Sequence, residues 1–346
     1  MISRGVVRCS LAAVLFGISA PLASRLAADM GAFTLAGLLY LGAAIAVLPF
    51  IGRTRPTRAA VRRGASRLAT AVVVGGAVGP VLLAAGLAHA PAASASLLLN
   101  LELVFTTLLA YFVFREHIGP RVVAGTAMVV VAGVVLGWSG SADLRWGAVL
   151  IAGACLCWAV DNGVTANLDE LAPVHITFVK GLVAGSANLA IGLALGGAPT
   201  GWAILGALVV GGFGYGASIT LWVAGARDLG AARGQLVFAT APFVGAIVAW
   251  TVLSDPVGTR QVVSLLIAAF GVSFVLRSGH AHEHLHLELE HDHEHVHDDG
   301  HHDHLHGEEM MTRHQHVHRH SAMSHAHPHM PDLHHRHDHV VTGNGS

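Results

Sequence analysis

Three ionisable side chains lie deep inside apolar runs: Glu102 in "LLLNLELVFTTLL", Asp161 in "CLCWAVDNGVT" and Lys180, the only lysine in the chain, in "ITFVKGLVAG". Charged groups at membrane depth are costly to hold and mark functional positions by default. Asp161 and Lys180 flank the turn "DELA" at 169–172, and the midpoint of their numbers is 170.5. Antiparallel helices of equal rise therefore set the two at one depth, roughly 12 Å from the turn at 1.5 Å per residue. Two arrangements are open. Lys180 either faces Asp161 in a shared polar cavity, or snorkels to the interface with Asp161 as its counter-charge. Glu102 falls near mid-bilayer, where a carboxyl suits a proton carrier or a cation ligand. The alternative is a neutral Glu102 bonded to Asn100 or to a backbone carbonyl. Asn162 and Asn188 are weaker candidates, since amides also serve as interhelical hydrogen bonds.

A second set of reactive groups is crowded at the other end of the chain. Of 26 histidines, 23 follow Ser278. Twelve of them, His280, His282, His284, His286, His291, His293, His295, His297, His301, His302, His304 and His306, lie in one stretch. Imidazole at alternate positions suits Zn, Ni or Co, and an extended chain turns such rings to one face. "HEHLH" (282–286) and "HEHVH" (293–297) fit the zinc-hydrolase pattern. In a segment this rich in His and Glu the match is expected by chance, with no rigid helix or third ligand to complete it. The segment carries 3 Lys+Arg against 12 Asp+Glu, a net of -9 that becomes +14 with all 23 histidines protonated, near pH 6.5. Three roles stay open: metal gathering, pH-dependent docking on the arginine-rich loop 52–67, or a plain solvated tail.

The elements that must position these groups are membrane helices. The chain is 53% hydrophobic with 12% charged residues and a mean hydropathy of +0.59, against roughly 25% charged in a soluble domain. Apolar stretches near 6–25, 32–51, 68–88, 91–114, 119–138, 146–167, 174–195, 201–226, 231–253 and 259–277 predict ten spans. The first is read as a retained span rather than a cleaved leader, because the internal repeat needs it. With a cytoplasmic N-terminus, 13 arginines fall on the cytoplasmic side and 3 on the other, as the positive-inside rule asks. That orientation puts both termini in the cytoplasm. "KGLVAG" and "GFGYG" space glycines four apart for close helix packing. Trp158 and Tyr215 read as packing or as cavity lining. Cys9, Cys155 and Cys157 form no disulfide or zinc-knuckle pattern.

The sequence also repeats at an offset of 139. The stretch from Ser96 aligns with that from Gln235, setting Glu116 on Asp255, Gly119 on Gly258 and Arg121 on Arg260. Five spans per repeat is an odd number, so the halves have opposite orientations, a transporter signature with the site between them. The expected division is 1–140, 141–277 and a disordered tail at 278–346 that buries too little to fold.

The end of each repeat, "FREHIGPRVVAG" (114–125) and "LSDPVGTRQVVS" (253–264), each followed by a helix closing in "VAGVVL" or "FGVSFVL", resembles the EamA family of the drug/metabolite transporter superfamily. The likeness covers 1–277 and leaves out the tail. Where that family commonly pairs an acid with proline, here Glu102 precedes Leu103 and Ala241 precedes Pro242. The resemblance implies an all-α membrane fold of two inverted five-helix repeats and transport of small solutes such as amino acids, nucleosides or amines. The first expectation is proton-coupled export of a small organic metabolite across the cell membrane, with Glu102, Asp161, Lys180, Asn100 and Asn162 as the transport residues. Alternatives are a transition-metal transporter and a metal-sensing membrane protein. With no Walker loop or nucleophile elbow, neither enzymatic activity nor a required cofactor is expected, beyond Zn, Ni or Co on the tail. The expected partners are lipid, solute, metal ions and a second copy in a homodimer, with no nucleic acid.

Overall fold

In hydrocarbon every backbone N–H and C=O must be satisfied within the protein, which leaves apolar runs of about twenty residues little choice but helix. The computed structural model describes residues 4–53, 56–112, 119–138, 142–165, 168, 171–196, 199–229 and 231–276, and in the tail 280–286, 289–295, 314–320 and 323–329. The membrane helices are α1 (Arg4–Ala27), α2 (Ala32–Val47), α3 (Arg58–Leu87), α4 (Ala92–Leu98 and Leu101–Phe112) and α5 (Pro120–Trp138). They continue with α6 (Ala142–Thr165), α7 (Pro173–Ala194), α8 (Gly201–Ala226), α9 (Ala231–Phe238 and Ala241–Thr251) and α10 (Thr259–Leu276). Among the described residues nine spans reach 18 residues with membrane-like hydropathy, and α10 contributes a shorter apolar stretch, Thr259–Phe274.

Each expected span is thus a helix, with the largest boundary difference in α3, which starts ten residues early. Thr57 caps it by accepting the Ala60 N–H at 3.1 Å, and its arginine-rich first turns carry the helix beyond the apolar run. Gly196 at φ +85° follows α7 in the left-handed conformation that glycine tolerates.

Packing follows a symmetric pattern. α2 lies along α7, α5 along α10 and α4 against α9, while α1 contacts α8 and α9 and α6 contacts α3 and α4. Exchanging the first five helices for the second five maps this set onto itself. The α2–α7 seam is made by small residues. A Cβ on Gly181 would come within 2.6 Å of the Tyr40 carbonyl oxygen, and one on Gly185 within 2.8 Å of the Leu41 nitrogen.

Irregularities recur in corresponding helices, within about two residues of the sequence offset. α3 carries a π-helical turn at Ala71–Val78, and α8 carries one at Gly212–Ala217. α4 breaks after Leu98 and α9 after Phe238. At the breaks the backbone tightens to three-residue hydrogen bonds, Asn100 N–H to Leu97 and Thr240 N–H to Val237, both 3.2 Å. The same two carbonyls accept a side-chain donor, Asn100 Nδ2 at 3.0 Å and Thr240 Oγ1 at 2.7 Å.

The tail forms a separate unit. Where no regular backbone was expected, four stretches are extended: β1 (His280–His286) pairs antiparallel with β4 (Met323–His329), and β2 (Leu289–His295) with β3 (His314–His320). Two-residue alternation fits an extended ladder. The register sets His282 opposite His327, His284 opposite His325, and His293 opposite His316. His297, His301, His302, His304 and His306 lie outside the described residues.

Replacing Gly181 by Val is expected to lower the unfolding free energy in detergent by about 1–3 kcal/mol, because the α2 backbone has to give way. Gly31→Ala, where an added Cβ meets nothing within 4 Å, should leave it unchanged, and equal effects of the two would exclude the seam.

Candidate functional site

α6 presents two polar residues in succession, and a helix turns about 100° per residue, so they reach different neighbours. Asp161 points to α7, where Lys180 Nζ donates to its Oδ2. Thr165, one turn on, donates to Oδ1 at 3.2 Å. Asp161 is 5% exposed and Lys180 3%, so the lysine is buried against its partner rather than at the interface. The hairpin arithmetic thus brought the two to a common depth, and the structure brings them into contact.

Room for the carboxylate comes from the π turn of α3. A Cβ on Gly75 would overlap the Asp161 carboxylate. A π turn breaks the regular ladder of carbonyls, and two aromatic donors reach the Gly75 oxygen, Tyr40 Oη at 2.8 Å and Trp158 Nε1 at 3.2 Å. Asn188 Nδ2 donates to the Ala77 oxygen at 3.1 Å in the same turn, an interhelical role of the kind expected for it.

Asn162 points the other way, to α4. Its Nδ2 donates to Glu102 Oε1 at 2.8 Å, and Gln235 Nε2 of α9 donates to the same oxygen at 3.2 Å. Glu102 sits in the first turn of the second half of α4, where the exposed end of the peptide dipoles favours negative charge. It is 8% exposed. Asn100 is beside it in sequence but bonds its own helix instead, Nδ2 to Leu97, which leaves its Oδ1 without a partner. Four of the five expected transport residues therefore form two linked pairs, and Asn100 joins the site through the cavity wall alone.

That cavity measures about 20 Å³ and is bounded by both helix breaks, with Asn100 and Glu102 from α4 and Gln235, Phe238, Ala241 and Pro242 from α9. Such a space holds one water-sized group. Phe16 of α1 lines it and packs edge-on to Trp158 and Tyr215, with ring centroids 5.7 and 5.8 Å apart, and tilted on Phe238 at 5.3 Å. Trp158 and Tyr215 are thus core packing around the site. Gln235, which the sequence reading passed over, shows only as a lone amide in an apolar run. Nothing short of the pairing of α4 with α9 gives it a partner.

Polar side-chain contacts join helix ends on both faces of the bundle. Arg8 at the start of α1 meets Asp228, in the last turn of the helix that continues α8 to Leu229, at 2.6 Å, and His89 beyond α3 meets Asp143 at the start of α6 at 3.0 Å. Among the described residues, no three His, Cys, Asp or Glu side chains are grouped to hold a metal ion.

Lys180→Met would leave Asp161 buried without its cation, a change expected to remove about 3–5 kcal/mol of stability in detergent unfolding. Adding Asp161→Asn should recover more than half of it. A single variant as stable as the parent would exclude the buried pair.

The profile of the EamA-like transporter family matches residues 3–138 and again 145–277. A protein of Methanothermobacter thermautotrophicus called an uncharacterized transporter is 29% identical over 299 residues, covering 80% of this chain and 87% of its own. A solved structure titled only as the crystal structure of a protein superposes with a TM-score of 0.60 at 17% identity, over 79% of this chain and 98% of its own, a likeness of fold. With the family profile matched twice across the membrane helices, the chain belongs to the EamA-like transporter family.

Proposed function

We propose that the protein is a secondary transporter that exports a small organic metabolite across the cell membrane in exchange for protons, with both termini in the cytoplasm. The observation that carries this reading is Glu102, a buried carboxylate held by amides from α6 and α9 at the facing breaks of α4 and α9. Broken helices at mid-membrane are where inverted-repeat transporters build their sites. The self-mapping packing pattern supports two inverted units, 1–140 and 141–277. In this reading Glu102 carries the proton, and because its ties span both units it changes partners when they rock. The Asp161–Lys180 pair rearranges in the same motion. The 20 Å³ cavity is then the closed state, and a metabolite enters by parting α4 and α9.

The register that sets histidine opposite histidine in the tail favours a second reading, a transporter of Zn, Ni or Co supplied or informed by residues 278–346. In both readings the tail is cytoplasmic.

In proteoliposomes Glu102→Gln is expected to reduce solute uptake driven by a pH gradient at least tenfold, and undiminished uptake would remove the proton from Glu102. Deleting residues 278–346 should leave solute flux within about twofold. Loss of metal tolerance in cells carrying the deletion, with solute flux intact, would instead favour the metal reading.

A further inference from the structure

We infer that Asp255 and Gln261 form a latch that holds the transporter closed toward the outer face, and that their release lets α4 and α9 part on that side. This rests on the transport reading above and names the residues that position its two units. The outer face, in the orientation proposed there, is the one away from Arg4 and Leu276, where the helical bundle begins and ends. The two halves of α4 and of α9 have different neighbours. The outer halves, Ala92–Leu98 and Ala241–Thr251, pack on each other. Ala92 and Ala93 cluster with Ala249, and a Cβ on Gly245 would come within 2.7 Å of Ser96 Oγ. The inner half of α4 packs instead on α5 and α6, and that of α9 on α1 and α8.

Three polar ties cross between the units beside the outer contact. Asp255 Oδ2 accepts the Ala93 N–H at 3.2 Å, in the first turn of α4, where helix amides have no carbonyl of their own. Gln261 Nε2, in the first turn of α10, donates to Ser94 Oγ at 3.0 Å. Arg25, in the last turn of α1, donates to the Leu253 carbonyl. Gln261 and Ser94 are both buried, and Gln261 Oε1 is fixed by Trp250 Nε1 and the Gly258 N–H, each at 3.1 Å. The turn that carries Asp255 is strained. Ser254 has φ +58°, the only positive φ outside glycine among the described residues, and such a conformation persists where its surroundings hold it. Here both neighbours are held: Leu253 by Arg25, and Asp255 by the Ala93 N–H and, through its own N–H, by the Ala249 carbonyl at 3.0 Å. The repeat does not supply the glutamine–serine pair twice, because Val122 and Arg233 stand at the corresponding positions, 139 residues away. Hydrogen bonds suit a latch: as the face opens each group exchanges its partner for water, so the tie is specific and its net strength modest.

The test uses the full chain in lipid nanodiscs with Ala249→Cys as reporter, a fully buried position in the α4–α9 contact. Labelling by a sulfonated maleimide is timed from the mass of the peptide that contains position 249, which keeps Cys9, Cys155 and Cys157 out of the reading. Asp255→Ala and Gln261→Leu are each expected to speed labelling about fivefold, the population shift for one lost hydrogen bond. Asp255→Asn keeps an acceptor for the Ala93 N–H and should label at the parent rate. Val104→Cys, buried in the inner half of α4, is the control and should label no faster in any of them. Unchanged labelling in both variants, Asp255→Asn as fast as Asp255→Ala, or faster labelling at both reporters overturns the latch. Asp255 and Gln261 lie on different elements, so one misfolded variant leaves the other to decide. Labelling needs no solute, which separates the two readings. Faster labelling in a chain that moves no solute in proteoliposomes keeps the latch and overturns transport, whereas unchanged labelling in a chain that does move solute overturns the latch alone.

Discussion

A carboxylate away from water has to be met by a cation or by N–H donors, and α6 meets this demand twice in consecutive residues. Asp161 takes its cation from α7, and Asn162 lends its amide to the carboxylate of α4. Much of the surrounding geometry follows from these two contacts. They hold α4 and α7 against two different faces of α6. The first also requires α3 to lack a side chain at position 75, where a methyl group would occupy the Asp161 carboxylate's place. The Gly75 oxygen is in turn bonded by Tyr40 and Trp158, the first packed on Tyr215 and the second edge-on to Phe16. Charge, glycine and aromatic packing are thus one arrangement rather than three.

The symmetric packing makes the departures from symmetry informative. The π turns of α3 and α8 correspond, as do the breaks of α4 and α9. Glu102, however, falls on Ala241 at the repeat offset, and Asp161 and Lys180 have no charged counterparts in the first half. The repeated features are those of backbone shape, and the unrepeated ones are those of charge. A common scaffold bends in two places, and one of the two bends has been given a carboxylate.

Much of this was legible in the sequence because hydrocarbon imposes strong rules. Apolar run length gave the ten spans, and the turn midpoint gave the common depth of Asp161 and Lys180. Less was legible where local irregularity decides the outcome. The α8 π turn showed only as the glycine-rich "GGFGYGAS", while the α3 turn, "AVVVGGAV", reads as ordinary apolar helix. Pro242 hints at the α9 break, but Asn100 at the α4 break reads equally well as a packed amide. Gln235 needed tertiary pairing, since the carboxylate it bonds lies 133 residues away. In the tail, composition argued against a buried core. It carried no information on strand pairing, because every second register of an alternating histidine chain sets histidine opposite histidine.

The cavity beside Glu102 has room for one water-sized group. Phe16 lies on its wall and is braced by Trp158, Tyr215 and Phe238. A larger occupant would need these rings to part, so its apparent dissociation constant would scale inversely with the fraction of molecules in which they stand apart. A substitution among the braced aromatic residues would then change the affinity of every such occupant by one common factor without touching any of them.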